Sequence, residues 1–340
     1  MKHDIIIKKI NLSGRRVDKF LVKFIKQDEQ IPNLHEGMLY ALGLDSEDPA
    51  LRGKRLRPAL GLLVCEALGG NPHSLLPFAS AIELFHNFTL VHDDIEDGDT
   101  FRRNRPCVYI KYKLASGINF GDFMLVKVFR ALLDFEDSDF SPRIRLKLFD
   151  LMIETLEHTH IGQALDINAR ENKYFTIREY FLLVTEKTGF CLAAPMAAAA
   201  IITKSHPSIV RQLTDYAKAI GPLFQIRDDM IDLTEGKGRK SIGSDVKEGK
   251  RSFLVAHVTG HCTEKERERL YAILDAQRKK TSDAHVLWVK DLFEKYGGFE
   301  AARESCEILF QEALNAIAGT PKRLKDLLEA FAELLVKRKT

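Results

Sequence analysis

The segment FHNFTLVHDDIEDGDTFRRNRP, Phe85 to Pro106, sets a run of acids and then three arginines directly behind an apolar stretch. Asp93, Asp94 and Asp97 stand at i, i+1 and i+4. The same spacing returns in FQIRDDMID as Asp228, Asp229 and Asp232. On a helix, i and i+4 are neighbours on one face, so each cluster aims at least two carboxylates the same way. Such like charges repel, and the dipole near a helix C-terminal end disfavours them further. Local stability therefore does not account for them. A hard divalent cation does: magnesium takes oxygen ligands, typically one or two carboxylates, and completes its shell with water and phosphate oxygens. Two aspartate faces opposed across a bundle would hold magnesium around a diphosphate, whereas one such cluster alone could equally be a solvated helix end.

The bases follow the same plan. GKRLRP places Lys54 and Arg57 at the start of an apolar helix, and FRRNRP places Arg102, Arg103 and Arg105 just beyond the first acid cluster. GKGRKSIGSDVKEGKR sets Lys240 and Lys250 around a Gly-Ser-Asp turn beyond the second. Arginine presents a planar fork that suits phosphate oxygens, and lysine acts as a point charge. Mixed charges commonly do no more than neutralise one another. Here each acid cluster has its own basic loop, which is the arrangement a diphosphate site needs.

Helical elements must position these groups. Apolar residues recur with a helical period in LRPALGLLVCEAL, HSLLPFASAIELFHNFTLVHDD, IREYFLLVTEKTGFCLAAPMAAAAII and RLKDLLEAFAELLVKRK, and alternating strand patterns are scarce. Breakers such as LGGNPHS, RRNRPCV, KSHPS and TEGKGRKSIGSD separate them. The expectation is an all-α chain, 1–340, forming a single helical bundle without a domain linker. The 340 residues are 45% apolar, enough to fill a core. The 51 basic and 48 acidic residues nearly cancel, so no nucleic-acid surface is expected and any phosphate-handling site must be local. Five scattered cysteines without a CxxC pair suggest neither a disulfide framework nor a zinc site. The N-terminus lacks a signal-peptide core, and the longest apolar run, Gly189 to Ile202, falls short of a membrane span, so a cytoplasmic protein is expected. His158 and His160 point to different helix faces and suggest no metal site.

GKRLRP, ELFHNFTLVHDDIEDGDTFRRNRP, GINFGD, GQALDI, KTGF and FQIRDDMIDL…GSDVKEGKR occur in the order and approximate spacing of the trans-polyprenyl diphosphate synthases, and from Gly53 to Arg251 the chain resembles that family. The resemblance implies the isoprenoid synthase type of helical bundle, with a central active-site cavity. It also implies elongation of an allylic diphosphate (dimethylallyl, geranyl or farnesyl) by isopentenyl diphosphate with release of pyrophosphate. Asp93, Asp94, Asp97, Asp228 and Asp229 would then hold about three magnesium ions, with Asp232 acting through water. Arg102, Lys187, Thr188, Gln225, Lys240 and Lys250 would contact the allylic diphosphate. Lys54, Arg57, His86 and Arg103 would bind that of isopentenyl diphosphate; apart from the resemblance, a lone His86 reads as a core histidine. Gln163, Asp166, Asn119 and Asp122 either line the cavity or make helix–helix hydrogen bonds. Family members are generally homodimers.

The apolar half of the opening segment bears on product length. One helical turn rises about 5.4 Å, similar to an isoprene unit, so bulky residues upstream of Asp93 can act as a floor. Phe88, Thr89 and Phe85 stand five, four and eight residues before it. Either these are plain core, or a single aromatic at the fifth position with a small residue at the fourth sets geranylgeranyl diphosphate as the product, as in the family. Farnesyl or longer products are the alternative. A class I terpene cyclase would need neither GKRLRP nor the second aspartate motif, and a regulatory synthase subunit should have lost aspartates, of which all six are present. GRKSIGSD and KRSFLVAH depart from the commoner family forms of those loops.

Overall fold

The computed structural model describes residues 2–27, 31–135, 140–234 and 242–337. Along the chain these form α1 (Lys2–Lys26), α2 (Leu34–Leu42), α3 (Leu56–Ala67), α4 (Leu76–Glu96), β1 (Phe101–Arg102), β2 (Arg105–Pro106), α5 (Val108–Tyr112), α6 (Leu114–Leu132), α7 (Pro142–Ala169), α8 (Ile177–Val184), α9 (Phe190–Ile202) and α10 (Pro207–Thr234). The C-terminal part adds α11 (Ser244–Lys247), α12 (Phe253–Thr259), α13 (Glu264–Leu274), α14 (Asp283–Lys295), α15 (Gly298–Ala316) and α16 (Lys322–Val336). The fold is all-α, as the periodicity predicts. Two departures matter. RRNRP, read as a breaker, folds as the two-residue strands β1 and β2, paired antiparallel. The long helix expected across Ile177–Ile202 is interrupted by a π turn at Thr185–Gly189.

The chain divides into two compact units, neither a continuous stretch. The first comprises 1–153, 194–211 and 321–327. Its core is α4, apolar almost all round and buried from Leu76 to Phe85, as expected of a helix with neighbours on every side. It packs on α6, α3 and α1. Small residues allow the close approaches: a Cβ at Gly37 would sit 2.1 Å from the Phe120 ring, and one at Gly121 2.2 Å from His92 Nε2.

The second unit comprises 154–193, 212–320 and 328–340. Here α12 packs against α8, α14 and α15. Capping boxes at Thr176–Glu179 and Thr263–Glu266 fix where α8 and α13 begin. Glycine again sets the closest contacts: a Cβ at Gly162 would meet the Lys187 backbone nitrogen at 2.3 Å, and one at Gly221 the Gly189 Cα at 2.9 Å.

Pro72–Glu96 and Ile177–Ile202 are long and apolar enough to cross a bilayer, but 78% and 61% of their apolar windows are buried in the fold. The first also carries the aspartate cluster. Burial in the core accounts for their composition.

One buried ionic cluster ties the first unit together. Arg55, in the left-handed region at φ 47° and 5% exposed, donates from Nε to Asp18 of α1 at 2.8 Å. Its Nη1 donates to Glu83 of α4 at 2.6 Å and its Nη2 to the Leu42 carbonyl at 2.5 Å. Asn87 donates to the same Glu83 oxygen at 2.8 Å. Removing one partner of such a cluster leaves a buried charge uncompensated. Arg55→Met should therefore lower unfolding stability by about 3–5 kcal/mol in denaturant titration, well beyond the effect of an exposed arginine such as Arg303.

Candidate functional site

In the first unit the aspartates ride on the last turn of α4. Asp93 and Asp97 are half-buried and one turn apart, with the Asp97 N–H bonded to the Asp93 carbonyl at 2.8 Å. Asp94 lies on a different side, 2% exposed, and receives Arg102 from Nε at 2.7 Å and Nη2 at 2.6 Å. Burial pushes the Arg102 pKa down, but Asp94 and then Asp99 hold it above the ordinary arginine value. Arg102 and Arg103 part company at the hairpin. Arg102 pairs with Arg105 across β1 and β2, while Arg103 and Asn104 form the two-residue turn at φ 51° and 61°. Positive φ at both positions is the type I′ pattern that matches the twist of a hairpin. Tyr40 clamps the far side: its hydroxyl donates to the Pro106 carbonyl at 2.7 Å, and the Arg105 guanidinium lies over its ring at 3.8 Å. Arg105 also bonds the Tyr40 carbonyl and Asp45.

Turned the other way, Arg103 donates to the Leu51 carbonyl at 3.2 Å and covers Gly53, where a Cβ would come within 2.8 Å of Nη2. Burial brings its pKa down to about 10, Glu83 opposing and Arg55, Arg102 and Arg105 adding to the fall. Arg57, in the first turn of α3, approaches His86 Nε2 with Nη1 at 3.3 Å. Burial, and then Arg57, Arg103, Arg102 and Arg55, hold the His86 pKa well below its ordinary value. The imidazole is thus neutral and accepts from Arg57. Lys54 is exposed immediately before Arg55, at the N-terminal end of α3. The fold therefore brings together Arg57, His86 and Arg103, with Lys54 beside Arg55 on the chain. These are cations crowded by cations, an environment that an anion at a helix N-terminus would relieve.

In the second unit, Asp228 is half-buried, while Asp229 and Asp232 are 5% and 0% exposed. Asp229 accepts from the Tyr180 hydroxyl at 3.0 Å, Gln225 Nε2 at 3.0 Å and the Phe253 N–H at 3.1 Å. Asp232 accepts from the Ser244 hydroxyl at 2.5 Å and the Asp245 N–H at 3.0 Å, so it holds the loop entering α11. Beyond it, Lys250 reaches Glu248 at 2.8 Å and Asp245 at 3.3 Å. Lys240 lies outside the described residues. Lys187 and Thr188 stand on the π turn, both half-buried, and Lys187 donates to Asp166 at 2.8 Å. Burial raises the Asp166 pKa, yet Lys187, then Lys250 and Arg170, bring it below the ordinary carboxylate value. π turns inserted in α-helices commonly mark functional positions. Next to it, His158 pairs with Glu186 at 2.5 Å and stacks on Phe190 with centroids 3.5 Å apart.

The donor set suits magnesium better than a softer metal. Among the described residues no three His, Cys, Asp or Glu side chains converge on one point. Magnesium does not need such a cage; it takes one or two carboxylates and completes its shell from water and phosphate. Asp93, Asp97 and Asp228 are half-buried, and Asp94, Asp229 and Asp232 lie deeper and accept from Arg102, from Tyr180 and Gln225, and from Ser244 and the Asp245 N–H.

Phe85 and Phe88 are 0% and 4% exposed with ring centroids 6.0 Å apart, and Phe88 meets His92 edge-on at 4.8 Å. The Thr89 hydroxyl folds back onto the His86 carbonyl at 2.8 Å. Sequence reading missed Arg55, Glu83 and Tyr180. A lone glutamate inside the apolar run of α4 was the available sign of Glu83; nothing in local spacing singles out Arg55 from Lys54 and Arg57.

Three comparisons bear on this arrangement. A family model described as polyprenyl synthetase matches residues 47–291. A short chain isoprenyl diphosphate synthase of Methanothermobacter thermautotrophicus is 36% identical over 282 residues, 82% of each chain. A geranylgeranyl diphosphate synthase of Methanosarcina mazei is 34% identical, covering 83% of this chain and 87% of that one. Among solved structures, geranylgeranyl pyrophosphate synthetase from Pyrococcus horikoshii superposes with a TM-score of 0.88 at 30% identity, over 99% of this chain and 100% of that one.

The neutral His86 gives a pH signature. Its folded pKa lies below the unfolded value of about 6.5, so the unfolded chain takes up the extra proton. The associated stability is complete above about pH 6.5 and is lost as pH falls below it, by up to about 1.4 kcal/mol per unit. Denaturant unfolding at about pH 7.5 and about pH 5.5 should show a smaller loss on acidification in His86→Gln than in the unaltered chain.

Proposed function

Because this chain belongs to the polyprenyl synthetase family and is a trans-prenyltransferase of the isoprenoid synthase fold, we propose that it condenses isopentenyl diphosphate with allylic diphosphates up to farnesyl, making geranylgeranyl diphosphate. The observation that carries the catalytic reading is the split between neighbouring arginines: Arg102 is committed to the aspartate side and Arg103 to the cluster with Arg57 and His86. Two diphosphates need two such clamps. Lys54, Arg57, His86 and Arg103 bind isopentenyl diphosphate, with neutral His86 orienting the Arg57 guanidinium. Arg102, Lys187, Thr188, Gln225, Lys240 and Lys250 contact the allylic diphosphate. The family model spans residues 47–291, parts of both units, which supports one synthase domain over 1–340.

Asp93, Asp94, Asp97, Asp228, Asp229 and Asp232 supply the carboxylates for about three magnesium ions, Asp232 through water. Bound magnesium would neutralise the charge that builds on the leaving pyrophosphate. The chain's own residues then bind and orient. Lys187, itself held by Asp166 at 2.8 Å, and Arg102 add positive charge at the departing group. The apolar surface of α4 shields the allylic cation from water. The isopentenyl double bond attacks that cation, and the proton released goes to pyrophosphate, so no side chain is required as base.

Phe88 closes the path of the growing tail, and Thr89, one turn before Asp93, leaves room beside it. Phe88 is braced by Phe85 and His92 at ring distances of 6.0 and 4.8 Å, which suits a floor that must not yield. The family relation also supports a homodimer working in the cytoplasm. Exposed Leu114, Ile118 and Val126 on α6 and Leu146 and Ile153 on α7 offer the apolar surface such pairing needs.

Mass spectrometry of products from isopentenyl and farnesyl diphosphates should give geranylgeranyl diphosphate, with activity lost to EDTA and restored by magnesium. Finding nothing longer than farnesyl would overturn the product assignment, and Phe88→Ala should shift it to longer chains. Arg103→Ala should raise KM for isopentenyl diphosphate by about 10- to 100-fold with a smaller change for the allylic substrate, and Arg102→Ala should do the reverse. Steady-state kinetics varying each substrate separately would show equal effects if the two clamps are one.

A further inference from the structure

The outer face of α1 has no part in the site described above. Its inner side buries Ile6, Ile10, Val17, Leu21 and Phe24. Its outer side carries Lys8, Arg15, Arg16, Lys19, Lys23 and Lys26, all exposed. Their successive spacings of seven, one, three, four and three residues keep them on one side of the helix, in a stripe about 30 Å long from Ile5 to Lys26 at the helical rise. Ile5 and Leu12, 53% and 54% exposed, fall on the same stripe at its N-terminal half. Among the described residues of α1 the acids are Asp4 and Asp18. Asp4 stands at its start, and Asp18 is buried against Arg55. Lys8 is attracted by Asp4, while Arg15–Lys19 and Lys19–Lys23 are like charges at i, i+4. In a chain with 51 bases against 48 acids, that segregation is local.

From this stripe we propose that α1 is a docking surface for an anionic lipid bilayer. Its cations meet lipid phosphates, and Ile5 and Leu12 enter the headgroup boundary. A basic helix face attracts anionic lipid charge by charge, and apolar residues set among the cations add insertion that a purely polyanionic partner would not reward. The position also has a use, which rests on the product proposed above: a diphosphate with a long apolar tail is delivered most directly into a bilayer.

Co-sedimentation of the full chain with vesicles tests this. Vesicles with about 30% phosphatidylglycerol in phosphatidylcholine should bind at least about tenfold more protein than phosphatidylcholine alone, with the excess lost at about 0.5 M salt. R15E/K19E/K23E should abolish the binding, and Leu12→Asp should weaken it several-fold, both variants retaining prenyl transfer on soluble substrates. Equal binding to neutral vesicles, no binding to either, or undiminished binding by the triple variant would overturn the proposal. So would a Leu12→Asp chain that binds like the unaltered one while duplex DNA competes fully, since the partner would then be a polyanion. Loss of prenyl transfer in the unaltered chain would instead strike the catalytic reading and leave the vesicle result standing.

Discussion

Arg55 is the interaction on which the rest of the first unit depends. Its guanidinium spends every face on one neighbour or another: Asp18 from α1, the Leu42 carbonyl at the end of α2, and Glu83 from α4. A lysine could not make those three directional contacts, because a point charge has no planar fork. The same residue starts α3, so Lys54 and Arg57 on either side are fixed relative to α4. His86 lies one turn beyond Glu83 on that helix. The buried cluster thus fixes where Lys54 and Arg57 stand relative to α4.

The second unit solves the same problem around its aspartates with hydrogen bonds from neutral donors. Asp229 and Asp232 each accept at least two protein donors. Their carboxylates hold Tyr180, Phe253 and the loop entering α11 in position. Asp228, the part-exposed member, faces a setting already made rigid by its neighbours. In both units one acid of the motif is more open while another is locked, which is how a set of like charges can share one helix end.

Much of this was legible in the sequence because it depends on short-range spacing. The i, i+1, i+4 acids, the helical periodicity of α4 and α10 and the adjacency of Arg102 and Arg103 are all properties of neighbours in the chain. What could not be read is non-local or backbone-borne. Arg55 acquires its meaning only from residues in three other helices. The π turn at Thr185–Gly189 sits in a run whose side chains suit an uninterrupted helix, and it is packed closely by Gly162 and Gly221, which lie far from it in the sequence. RRNRP shows an intermediate case: Asn104 suits a left-handed turn position, but Arg103 beside it does not announce one.

That Arg103 occupies such a position has an evolutionary consequence. A left-handed arginine carries backbone strain of about 1–2 kcal/mol that glycine would relieve. Selection for stability alone would therefore favour Gly at 103, in a hairpin whose other contacts, Tyr40 to Pro106 and Arg105 to Asp45, would survive the change. The resulting protein would be better folded and short of the cation that stands with Arg57 beside His86. Engineering for heat resistance guided by backbone preference alone would thus select against the feature that keeps two neighbouring arginines facing different ways.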